Sequence, residues 1–484
     1  MLVKKKVIVY IFFELILSIA LIGGAELLTG QRCESYIGLF SVINLILFIY
    51  FLKKIKSEMF SIASLFVIFM YLFNLGIPIA RLFNWVNNDE AVRFLARRIY
   101  SMGNTTFIEY MIYSYLLISM LQIGVLFYYS KNNKKNIIFV KNDKYDIQLN
   151  KCKYVGMICA LIGIVPYIYG EISYLKNAMV FGYQNVNNTF DMSGTGIGLF
   201  GNLFLLGIML LLFYLQKNKR KFDILFFIMC GYQIIRMYIT GDRSTSIALI
   251  LVWILIRHKF VSPIKGKKAM LYLVFAYIGM LFIKLVEMTR VLNSGDVGEV
   301  FHNLLQSNML AETVLEYGGN VWSGIMIYYS VPSTGFFRCG LTYLAAVIGK
   351  PLSLLKITDS VWKFSDFSHF LTEPARGSLI NRLTSAMGGS FSGEWYFNFG
   401  WLGVVLIAIF GYFLAKFSDA CIDRRKNPVF SGYLMYIAML VIWWVRQYFT
   451  SVSWEALFYG VVIWILYQLV NSKNRRVNLK IKKE

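Results

Sequence analysis

Three stretches of this sequence bring arginine, carboxylate and glycine together in ways that could handle an anionic group. The first is Thr240-Gly-Asp-Arg-Ser-Thr245. Gly241 permits a tight turn, Asp242 can orient a guanidinium, and Ser244 or Thr245 can cap a following helix, which would hold Arg243 rigidly. Arg236 stands seven residues earlier, two helical turns away and so on roughly the same face. An ordinary turn beside a snorkelling arginine is the competing account. The second stretch places Lys284, Glu287 and Arg290 on one helical stripe, where they could bind an anion or satisfy one another. The third runs from Glu373-Pro-Ala-Arg376 through Asn381-Arg382 to Gly388-Gly-Ser-Phe-Ser-Gly393-Glu394. Glu394 opens an apolar run, where a helix dipole favours a carboxylate. It is a candidate general base, and the competing account is a plain N-terminal helix charge. Asp366 and His369 are alternatives without a helical anchor.

Other chemistries lack their residues. No GxSxG or HExxH occurs, and no DxD or ExD stands in an early outer loop. Only three histidines exist, and the six cysteines form no CxxC pair. No metal, cofactor or disulfide framework is expected.

The elements that must position these residues follow from composition. Of 484 residues, 57% are apolar or aromatic and 15% charged, against roughly 25% charged in a soluble domain. Apolar runs fall at 7–28, 37–52, 60–80, 107–129, 154–170, 196–215, 222–240, 245–256, 269–286, 396–416, 430–445 and 456–470. These predict an all-α polytopic membrane protein of about twelve spans. The division is 1–286 for spans one to nine, 287–395 for a large outer loop, and 396–484 for the last three spans with a basic tail. A net charge of +23 would suggest nucleic acid in a soluble protein, but the basic residues cluster between apolar runs. No nucleic-acid partner is expected. The Lys/Arg bias puts both termini in the cytoplasm.

Residue type sharpens this orientation. On the inner side 26 of 32 basic residues are lysine, whereas 11 of 15 on the outer side are arginine. Lysine suffices for retention inside. Arginine offers a planar fork for phosphate or carboxylate, so the outer face is expected to meet an anionic ligand, although arginine also tolerates interfacial burial. The loop at 287–395 is far longer than its neighbours, and loops of that length are usually functional. Its patch at 336–355 reads as a re-entrant or interfacial element.

At these clusters the chain resembles the Wzy-type O-antigen/capsular polysaccharide polymerases. The matching stretches are Thr240-Gly-Asp-Arg-Ser-Thr245, Glu316-Tyr-Gly-Gly319 with Val331-Pro-Ser and Gly340-Leu-Thr-Tyr-Leu344, and Gly388-Gly-Ser-Phe-Ser-Gly-Glu394 with Asn398-Phe-Gly400. Arg382 and Gly393 match an Arg-x10-Gly pattern of some members. The companion pattern in an earlier loop is absent from 171–195, and Arg243 is taken in its place. The resemblance implies a GT-C-like glycosyltransferase in the bacterial cytoplasmic membrane, with its active site facing outside. A glycan chain on polyprenyl (undecaprenyl) diphosphate would be donor and a lipid-linked repeat unit acceptor. A flippase and a chain-length regulator would be partners, and membrane lipid the surroundings. On this reading Glu394, Arg382 and Arg243 are catalytic, and Arg290, Arg376, Arg236 and Tyr396 bind the diphosphate or glycan. No metal is required, because guanidinium groups can stabilise a leaving diphosphate. A lipid-linked oligosaccharide flippase, or a ligase-like glycan transferase, is the alternative.

Overall fold

The computed structural model describes residues 2–55, 57–86, 104–132, 143–181, 196–240, 244–266, 270–272, 274, 277, 279, 308–334, 337–365, 370, 388–423 and 426–481. Among the described residues the regular elements are helices, with no strand. Nine of these helices are long and apolar enough to cross a membrane. The chain is a multi-pass, all-α membrane protein.

The expected spans map onto the helices as follows. The first six and the eighth, tenth and twelfth correspond to the nine candidates. At the seventh stands Lys219–Thr240, a helix of 22 residues whose Lys219, Arg220, Lys221 and Asp223 make it more polar than the nine. The eleventh is Pro428–Trp444, apolar but only 17 residues long. Most of the ninth lies outside the described residues. Span ten starts earlier than expected, at Phe391, and runs to Ile422.

The chain divides into two compact units. The first comprises 1–137, 307–419 and 444–453. Its helices are α1 (Leu2–Leu27), α2 (Gly30–Lys54), α3 (Ile62–Leu82) and α4 (Asn104–Lys131). The segment after residue 307 adds α9 (Met309–Gly318), α10 (Trp322–Thr334), α11 (Leu341–Leu354), α12 (Ser360–Ser365), α13 (Phe391–Phe399) and α14 (Gly403–Ile422), numbered in chain order after the second unit's α5–α8. Helices α1 to α4 pack on one another, α9 lies on α3, α10 on α4 and α13, and α11 pairs with α12.

A lipid environment offers no hydrogen bonds, so polar side chains inside this bundle must find partners within it. The Tyr10 hydroxyl donates to Gln122 Oε1 at 2.8 Å, and Gln122 Nε2 donates to the Tyr71 hydroxyl at 2.9 Å. Asn44 Nδ2 donates to Glu14 Oε2 at 2.8 Å and also to the Ser119 hydroxyl. Four helices are thus tied together through neutral groups around one carboxyl group. The opposite flank of α1 exposes Ile8, Phe12, Leu15 and Ile19, as a lipid-facing surface should.

The second unit comprises 138–306, 420–443 and 454–484. It holds α5 (Asp143–Phe181), α6 (Gly196–Leu215), α7 (Lys219–Thr240), α8 (Ser244–Ile256), α15 (Pro428–Trp444) and most of α16 (Phe449–Ile481). Helices α5 and α6 approach closely because glycine lines their seam. A Cβ at Gly207 would lie 2.6 Å from the Ala160 amide nitrogen. Small residues permit such backbone contact in membranes.

Candidate functional site

In the first unit the Gly/Ser-rich turn enters α13 through a formed cap. The Ser390 hydroxyl accepts the Gly393 amide at 3.2 Å, and the Tyr110 hydroxyl meets Ser392 Oγ at 2.6 Å. The Ser392 hydroxyl donates onward to Asn74 Oδ1. This hydroxyl chain fixes the start of the helix that carries Glu394 and Tyr396.

Glu394 lies in the first turn, as the dipole argument expects, but its surroundings differ from the outer cavity expected for a base. The residue is 2% exposed. Its Oε2 accepts the Trp444 indole N–H at 2.8 Å, and its Oε1 accepts the Phe449 amide at 3.0 Å. The carboxylate thereby caps the first amide of α16, one of the donors a helix start leaves unpaired. Its backbone carbonyl accepts Asn398 Nδ2 at 2.9 Å.

Tyr396 faces another way. Its ring packs on Tyr328 at 4.5 Å, Tyr113 at 5.1 Å and Phe337 at 5.6 Å between centroids, and the residue is buried. Tyr328 donates its hydroxyl to Glu109 Oε2 at 3.2 Å. Burial, and then the neighbouring carboxylate of Glu109, push the Tyr328 phenol above its ordinary range, so it remains a neutral donor.

The tenth span is interrupted. Gly400 takes φ +55° between α13 and α14, a left-handed value at which a side chain would be strained. The carbonyls of Phe397 and Asn398 instead accept the amides of Arg338 and Cys339, at 3.1 and 2.7 Å. The Thr342 hydroxyl donates to Asn398 Oδ1 at 2.7 Å. The apolar patch at 336–355, expected to be re-entrant or interfacial, holds the helix α11, and the residues leading into it, Arg338 and Cys339, dock on the broken helix by backbone hydrogen bonds. Arg338 is among the arginines expected on the outer side and lies in none of the three motifs. Its position inside the apolar patch was the available signal.

In the second unit Arg236 does not stand free. Its Nε donates to both carboxylate oxygens of Glu171, at 3.0 and 2.9 Å, and the Tyr232 hydroxyl donates to the same group at 3.1 Å. One terminal nitrogen also reaches the Ser246 hydroxyl at 3.3 Å, and Ser246 donates to Gln233 Oε1 at 2.7 Å. The Trp443 indole donates to the Ser244 hydroxyl at 3.3 Å. The helices on either side of residues 241–243 are therefore tethered. Arg236, expected to bind ligand, has its charge met by Glu171. Arg243, Arg290, Arg376 and Arg382 lie outside the described residues, as do Asp366 and His369.

The apolar spanning helices, one of them broken and carrying a docked segment in the first unit, and the ion-paired Arg236 of the second unit, belong to a polytopic membrane protein. The chain belongs to the O-antigen polysaccharide polymerase Wzy family, whose model matches residues 6–474, nearly its whole length. Neither curated proteins nor solved structures give a match to this chain.

Proposed function

We propose that this protein joins polyprenyl-diphosphate-linked oligosaccharide repeat units into an O-antigen or capsular polysaccharide at the outer face of a bacterial cytoplasmic membrane. The observation that carries the reading is the family match over residues 6–474. The acceptor's terminal hydroxyl attacks the anomeric carbon of the donor sugar, the glycosidic bond forms, and polyprenyl diphosphate departs with the electron pair. The guanidinium groups of Arg243 and Arg382 receive the developing negative charge, assisted by Arg290 and Arg376, so no metal ion takes part. The tether of Arg236 to Glu171 and Ser246 steadies the two helices between which Arg243 stands in the sequence. Tyr396 and its ring neighbours shape a wall for the glycan. For Glu394 to take the acceptor's proton, the acceptor must reach a buried carboxylate that already accepts from Trp444 and the Phe449 amide. A flippase would supply the repeat unit and a chain-length regulator would end elongation.

The test is purified protein in liposomes containing a lipid-linked repeat unit. Ladder formation that survives EDTA is the expected result. Relocation of the unit across the bilayer without elongation identifies a flippase instead. Transfer only to a foreign acceptor identifies a ligase, and loss of activity in EDTA restored by a divalent ion removes the arginine mechanism.

A further inference from the structure

Arg338 joins the chain to span ten at the point where that span is broken. The carbonyls of Phe397 and Asn398, which in an unbroken helix would bond to amides 401 and 402, accept instead from Arg338 and Cys339. Phe397 lies six residues past Phe391, about 9 Å along the helix at 1.5 Å per residue. The chain then turns through Cys339 (φ +49°) and Gly340 (φ +79°) into α11, whose Leu341, Leu344 and Ile348 are all more than half exposed. Such a row of bare aliphatic side chains, starting beside a membrane span, belongs in lipid.

An arginine held against a membrane-spanning helix, with its Nε buried, calls for a partner. Its guanidinium carbon lies 4.9 Å from the Phe364 ring centroid, 5.5 Å from that of Phe397 and 6.0 Å from that of Phe370. Among the described residues no carboxylate pairs with it, and its Nε is buried without an acceptor. Three rings fix the plane of the group and attract its charge through their faces, but a ring face supplies no acceptor for the in-plane N–H donors. Arginine's fork matches the oxygens of phosphate. The lipid-facing side of α11 offers an adjoining track for an apolar tail.

We infer that Arg338 binds the phosphate of a lipid-borne phosphate ester, its head at the helix break and its tail along Leu341, Leu344 and Ile348. This goes beyond the polymerase reading by adding a residue outside all three motifs, and rests on that reading only where the lipid is identified as a polyprenyl diphosphate.

The experiment uses full-length protein in phosphatidylcholine nanodiscs and radiolabelled polyprenyl diphosphate carrying no sugar. Wild type should bind saturably. Arg338→Gln should weaken binding at least tenfold, as should Arg338→Lys, which keeps charge but loses the fork. Phe364→Leu, which loosens the cage and leaves the charge, should weaken it about threefold. Wild-type affinity in the Lys variant overturns the inference, even if the Gln variant fails to fold. Phosphatidylglycerol that displaces the probe in an Arg338-dependent manner makes the site a general phospholipid-phosphate site, still as inferred. Displacement by inorganic phosphate at equal concentration overturns the lipid-borne part. Wild-type binding without ladder formation in liposomes refutes the polymerase reading alone. Ladders from protein whose binding ignores Arg338 refute this site alone.

Discussion

The Glu394 carboxylate accepts the indole N–H of Trp444, fifty residues later in the chain, at 2.8 Å, and holds the first amide of the last helix with its other oxygen. One carboxylate therefore joins the start of α13 to the start of α16. An amide at this position can accept from one donor but must turn its NH2 toward the other. Glu394→Gln should lower unfolding stability by about 1–3 kcal/mol, the cost of a buried donor left unpaired. As the proposed base, Glu394 should also lose about 10²–10⁴ in elongation rate on this change. Trp444→Phe separates the two roles, because it frees Oε2 and keeps the carboxylate. Elongation retained in folded Trp444→Phe protein supports the base; elongation unchanged in folded Glu394→Gln protein removes it.

The Arg236–Glu171 pair should behave as a partly buried ion pair, since its side chains keep 13% and 17% exposure. Glu171→Gln leaves the guanidinium without its counter-charge. We expect a loss of about 2 kcal/mol, less than the roughly 3–5 of a fully buried pair. The double variant Glu171→Gln/Arg236→Gln should recover about half of it. Thermal unfolding in detergent measures both. Equal midpoints for the single and double variants would mean that the pair contributes only through packing.

Arg243→Lys and Arg382→Lys keep the charge and lose the two-pronged donor geometry. Each should reduce polymer formation at least tenfold with unchanged protein level. Polymer of wild-type length from both variants would confine these residues to topology.

Sidedness is testable without any substrate. Cysteine placed at Lys144 should be labelled only from the cytoplasm, and cysteine at Lys363 only from outside, as the distribution of basic residues requires. An inner location for position 363 would place α11, α12 and Arg338 on the wrong side for the proposed chemistry.

The helices were legible because each span needs a long apolar run, and such runs are local facts of sequence. The apolar patch at 336–355 likewise foretold α11. What sequence could not convey is where partners come from. The stretch Asn398-Phe-Gly400 looks like a motif inside a continuous span. It is a break because amides from residues 338 and 339 arrive to satisfy the carbonyls it frees. Glu394 has the same history. Its placement in a first turn follows from spacing alone, whereas its donors lie 50 and 55 residues downstream. Arg236 stands out in sequence as an ionisable group in a span, but its partner Glu171 lies 65 residues upstream on another helix.

The carboxyl group of Glu14 gives the order of synthesis a structural meaning. Helix α1 is made before its partners, and Asn44 follows Glu14 by 30 residues. The partner of Tyr10 on α4, Gln122, is separated from it by 112 residues. At about 5–20 residues per second, the first span waits roughly 6–22 s for that partner. Until then its polar flank must be shielded by water, by the insertion machinery, or by α2 alone. The polar flank of α1 is therefore fully partnered only when α4 arrives. A chain arrested before residue 104 should crosslink from position 10 to lipid or translocon, and one extended past residue 131 to α4.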